Sequence, residues 1–125
     1  MRKLLATTAV VESATGLGIL ALPSRGTSLM LGTPLDTPAA VAVARVAGVA
    51  LLALGVACWL ARQHELGPSA RGLVGAMVLY NAGVIAVLVH QAVGVAISGI
   101  ALWPTVVAHA AMGIWCITSL RGKHH

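Results

Sequence analysis

Four stretches of the chain are apolar for long enough to be read as bilayer-crossing helices, at about residues 4–22, 39–62, 72–91 and 103–120. About 20 residues at 1.5 Å rise cover roughly 30 Å of hydrocarbon. The second stretch, PAAVAVARVAGVALLALGVACWLA from Pro38 to Ala61, is interrupted by a single charge, Arg45. Polar punctuation separates the stretches. Pro23 to Thr37 holds Pro23, Pro34, Gly26, Gly32 and Asp36 and reads as the main connection, with a small apolar patch at Leu29-Met30-Leu31. Thr37 before Pro38 supplies an N-cap and a proline at the first helical position. Gly67-Pro68 breaks the turn RQHELGPSAR. Ala92 to Leu102 is apolar but carries Gly94, Ser98 and Gly99. It reads either as an interfacial elbow or as the first turns of a last helix bent at Pro104. The expected fold is all-α: an integral membrane four-helix bundle with short loops, one domain over residues 1–125.

The lead from Met1 to Lys3, followed by an apolar run, has the layout of a secretory signal peptide. The run is about 18 residues, against 7–15 for such a region, no A-x-A-like site precedes Pro23, and Glu12 falls inside it. Helix 1 is therefore expected to remain as a span.

Composition agrees. Hydrophobic residues make up 58% of the chain and charged ones 9%, with a mean hydropathy of +0.93. A soluble domain carries about 25% charged residues, so too little charge is present to cover a water-facing surface. The net charge of +5 does not point to nucleic acid, because the basic residues sit at the ends of apolar runs without interleaved aromatics. They set an orientation instead. Arg2, Lys3, Arg62, Arg71, Arg121 and Lys123 fall on one side of four spans, against Arg25 and Asp36 on the other. This asymmetry predicts cytoplasmic termini in the plasma (inner) membrane, with Trp59 and Trp115 at the inner boundary and Trp103 at the outer one. Small residues four apart, at Ala14 and Gly18, Ala44 and Gly48, Gly72 and Ala76, and Ala82 and Ala86, are candidates for close helix contacts. The endings GVACWLAR and GIWCITSLR of helices 2 and 4 hint at a duplicated two-helix unit.

Candidate chemistry is sparse. Glu12 lies at mid-depth of helix 1 with Thr8 and Thr15 on its face. Arg45, costing about 2.5–3.5 kcal/mol at the centre of a span, needs a partner, and Glu12 is the membrane-depth carboxylate on offer. An ion pair between them is expected, either structural or as a binding or proton-exchange site. Were they paired, Glu12→Gln would strand Arg45 and lower the melting temperature. Asn81, next to Tyr80, should hydrogen-bond across to another helix. Thr105, His109, Met112, Cys116 and Ser119 form one stripe on helix 4, expected to face the bundle interior. His, Met and Cys suit a soft metal by type, but one helix spreads them over about 10 Å of axis, so no metal site is expected. His90 with His109 as axial haem ligands is a third reading, set back by a difference in depth of about two turns at 5.4 Å each. Cys58 and Cys116 suggest no disulfide framework. His124 and His125 are set aside as a possible tag remnant. Phosphate-binding loops, GxSxG and HExxH are absent from the sequence, and no enzyme and no cofactor are expected.

The layout of four spans with one glutamate in the first, Glu12, is similar to that of the small multidrug resistance family. That resemblance implies a dimer exchanging protons for drug cations at Glu12. The chain departs from the family in lacking its aromatic-rich binding surface and its Trp-Ser-Gly signature, and in adding Arg45 and a longer first loop. With an arginine beside the glutamate, a small anion or zwitterion would fit better than a cation. The expected function is binding or transport of a small polar or anionic solute, with proton coupling, centred on Glu12, Arg45, Asn81 and His109. The expected partners are the lipid bilayer and further copies or a larger membrane complex. The other class is a non-catalytic accessory subunit whose polar cluster is architectural.

Overall fold

The computed structural model describes residues 1–64 and 67–122. Lys123, used in the loop charge count, and Glu65, His124 and His125 lie outside the described residues. The chain is all-α. Helix α1 covers Arg2–Ala21, α2 Pro23–Leu31, α3 Pro38–Ala61, α4 Pro68–Val89 and α5 Leu102–Arg121. A 3-10 turn, Arg62–His64, extends α3, and a π-helical turn, His90–Gly94, extends α4. With these extensions, four helices are long and apolar enough to cross a membrane: Arg2–Ala21, Pro38–His64, Pro68–Gly94 and Leu102–Arg121.

Local chemistry explains the boundaries. The Thr37 hydroxyl accepts from the Ala40 N–H, and Pro38 occupies the first turn of α3. Pro68 does the same for α4, which starts four residues before the predicted position. The expected loop from Pro23 to Thr37 instead opens with a helix, α2, begun by Pro23 and ended by Gly32 in the left-handed region at φ 74°. The segment after the π turn, residues 95–101, is not helical and forms an elbow before α5. That elbow joins α2 through the backbone. Gly99 N–H donates to Met30 O and Ala101 N–H to Leu29 O, both at 2.8 Å, which satisfies carbonyls that the end of α2 would leave open. Gly99 must be glycine for this, since a Cβ there would run into the Leu29 carbonyl.

The bundle is built from two antiparallel pairs. α1 packs on α3 with backbones in contact: a Cβ on Gly16 would lie 2.6 Å from Gly48 O and 2.7 Å from Leu52 N. One on Gly48 would lie 2.9 Å from Gly16 O, and one on Gly55 2.9 Å from both Ala9 O and Ser13 N. Of the small-residue pairs read from the sequence, Ala44 and Gly48 are both buried, and Gly48 lies in this contact. Ala14, Gly18, Gly72, Ala76, Ala82 and Ala86 are all exposed instead. α4 packs on α5, where the Arg71 guanidinium donates to Leu120 O at 3.0 Å and caps the end of α5. The pairs join at the end of the bundle that holds Met1, through Leu4, Leu5, Ala9, Cys58, Ala70, Val74, Met77 and Cys116. Cys58 and Cys116 are free thiols in this core.

Gly16→Ala is expected to push α1 from α3 and lower the melting temperature in detergent, at an overpacking cost of about 1–3 kcal/mol. Gly72→Ala, where a Cβ meets nothing within 4 Å, should leave it unchanged or raise it. Equal shifts in the two variants would show that the glycine contact does not hold the pair together.

Candidate functional site

Polar side chains from three helices border one cavity of about 450 Å³. Glu12 and Thr15 come from α1, Tyr80 from α4, and Thr105 and His109 from α5, while Ile19, Met30, Leu51 and Val84 are among the apolar walls. Glu12 is 6% exposed. The Tyr80 hydroxyl donates to its Oε2 at 3.1 Å. The Tyr80 and His109 rings meet edge to face, with centroids 5.6 Å apart and planes at 71°.

Consecutive residues on a helix point about 100° apart, so Tyr80 and Asn81 serve different neighbours. Tyr80 reaches α1, and Asn81 reaches α5. Buried Asn81 spends its Nδ2 on Met77 O, one turn back on α4, at 2.7 Å. Its Oδ1 is thereby left as an acceptor 2.8 Å from His109 Nδ1. A ring nitrogen facing an acceptor must carry the hydrogen, so the network assigns the Nδ1–H tautomer to neutral His109 and leaves Nε2 as the open nitrogen. The cross-helix hydrogen bond expected of Asn81 is thus present, with His109 as its partner.

The expected Glu12–Arg45 ion pair is absent: no such pair forms among the described residues. The difference in depth forbids it. The glycine contacts set Gly55 beside Ala9 and Ser13, and Gly16 beside Gly48 and Leu52, so Glu12 lies level with the segment from Leu52 towards Val56. Arg45 lies at least seven residues away, about 10 Å along the axis. It is also exposed, on a flank of α3 beside the stripe that buries Ala44 and Gly48. The preference for an anion or zwitterion rested on a guanidinium beside the carboxylate and falls with it.

The remaining candidates divide by depth. Thr8 is 1% exposed, one turn before Glu12 on α1. On α5 the stripe splits, with Thr105 and His109 lining the cavity, Met112 packed against the core cluster and Cys116 within it. His90 is exposed in the π turn, its ring against Gly94, and does not line the cavity. Among the described residues no group of three His, Cys, Asp or Glu side chains could hold a metal ion. Nothing local in the chain marks Met30 and Leu51 as cavity walls, because the residues of α2 look like a loop and long-range contacts leave no local pattern. No family model, curated protein or solved structure matches the chain.

Glu12→Gln keeps an acceptor oxygen for Tyr80 and strands no arginine, so the melting temperature in detergent should not fall, the reverse of the outcome expected of an ion pair. Asn81→Ala removes the bridge between α4 and α5 and leaves the His109 N–H unpaired. It should destabilise by about 1–2 kcal/mol. A variant as stable as the parent would mean that the Asn81–His109 bond contributes nothing.

Proposed function

We propose that this protein is a small multi-pass membrane protein that binds, and carries across the bilayer, a small solute bearing a positive charge or strong hydrogen-bond donors. The observation that carries the reading is the convergence of Glu12, Tyr80 and His109 on one cavity with otherwise apolar walls. An ionisable group at membrane depth that faces the bundle interior commonly marks a solute or proton pathway. With Arg45 elsewhere, the cavity offers a carboxyl group, two threonine hydroxyls and an imidazole nitrogen, a set that favours a donor or a cation over an anion. Glu12 and His109 both exchange protons, so loading the cavity with a cation is proposed to be linked to proton release. The role is binding or transport rather than enzymatic. The clustering of basic residues in the loops supports cytoplasmic termini in an inner membrane.

The test is stabilisation of the purified protein in detergent by n-propylammonium, glycerol and acetate at matched ionic strength. Propylammonium should raise the melting temperature most, and Glu12→Gln should abolish that rise while Arg45→Gln leaves it. Acetate acting best, or a propylammonium effect that survives Glu12→Gln, would overturn the reading.

A further inference from the structure

Arg45 is the group that the cavity does not use. It stands on an exposed side of α3 in line with Val49 and Val56, which are 55% and 50% exposed. That face has the composition of lipid-facing helix. Among the described residues Arg45 makes no ion pair. Of the chain's three acidic residues, Glu12 lies inside the bundle at another depth and Glu65 follows the opposite end of α3. Asp36 precedes the N-cap of α3, about 13 Å up the axis from Arg45. A counter-charge must therefore come from outside the chain.

Depth says what that counter-charge is. At the far end of α3 the Arg62 guanidinium lies 3.4 Å from the centroid of the Trp59 ring, an aromatic and basic pair suited to a membrane boundary. Counting about 20 residues back from Ala61 puts the other hydrocarbon edge near Val41. Arg45 then begins about 6 Å below that edge, a depth from which an arginine stem can carry its head up to the interface. Arg25, also exposed, belongs to α2 at the same end of the bundle. The planar guanidinium matches two phosphate oxygens at once.

We propose that Arg45 binds the phosphate of a phospholipid whose acyl chains lie along the valine face of α3, and so anchors α3 in the leaflet next to α2. The site is separate from the Glu12 cavity.

Native mass spectrometry of the full chain in mild detergent tests this, with phosphatidylglycerol and a diacylglycerol of the same chains as probes. The parent protein should retain phosphatidylglycerol over diacylglycerol by about fivefold or more. Arg45→Gln, checked for unchanged helicity by circular dichroism, should bring the two to parity, and Arg45→Lys should keep part of the preference. Equal retention of both lipids by the parent protein overturns the proposal whatever the variants do. So does an Arg45→Gln variant that holds phosphatidylglycerol as the parent does, or one that loses a homo-oligomer while its lipid binding is unchanged.

Discussion

Backbone touches backbone where α1 crosses α3, and the rest of the molecule takes its register from that contact. With Gly16 facing Gly48 and Gly55 facing Ala9 and Ser13, the backbones lie too close to admit a slip of one turn. In lipid, apolar surface gains nothing by turning inward, so close packing of small residues must hold helices together. The contact therefore fixes two depths at once. It puts Glu12 opposite the segment from Leu52 towards Val56 of α3, and it puts Arg45 level with the last turn of α1. Once these glycines meet, the acid and the guanidinium cannot.

The second antiparallel pair completes what the first leaves open. A carboxyl group in the bundle interior needs a donor, and α1 and α3 supply no hydrogen bond to Glu12 among the described residues. Tyr80 does so from α4, and it is placed by its neighbour. Asn81 is pinned between Met77 O and His109 Nδ1, which fixes the rotation of α4 against α5. That rotation turns the preceding ring, Tyr80, 100° away, toward α1. The buried amide thus works at a distance from the carboxyl it helps to satisfy. A polar group whose bonds are all made specifies one arrangement of a helix pair, where apolar packing in lipid would accept several.

The four spans were legible because bilayer thickness demands about 20 apolar residues in a row, and that demand is written locally. The cap at Thr37-Pro38 was legible for the same reason, whereas Gly67-Pro68 reads as the breaker of a turn and in fact opens α4. α2 was not, because Pro23-Ser-Arg-Gly looks like punctuation, and a nine-residue helix held by its docking on the elbow has no period long enough to read. Glu12, Thr15, Tyr80, Thr105 and His109 could be singled out as polar residues at membrane depth, and the structure gathers them around one space. The partners were misassigned. Charge complementarity suggested Arg45 for Glu12, but pairing depends on register, and register came from Gly16 and Gly55, two glycines in a chain with 14. Small-residue spacing in so glycine-rich a sequence matches too many frames to choose one.

The closure of the cavity at its α2 end follows from how that short helix is held. Met30 contributes its side chain to the cavity wall and its carbonyl to the Gly99 N–H, so wall and fastening belong to one residue. The elbow that supplies the donor runs directly into α5, which carries Thr105 and His109. A movement of α5 that opened the cavity would have to carry the elbow with it or break the two hydrogen bonds to α2. Because α2 follows α1 with only Leu22 between them, that movement would also pull on the helix that carries Glu12. The polar residues of the cavity are therefore linked mechanically through the backbone at this end, and through Glu12–Tyr80 and Asn81–His109 at mid-depth. A solute that displaced Tyr80 from Glu12 would act on the side-chain link and leave the backbone link to restore the arrangement.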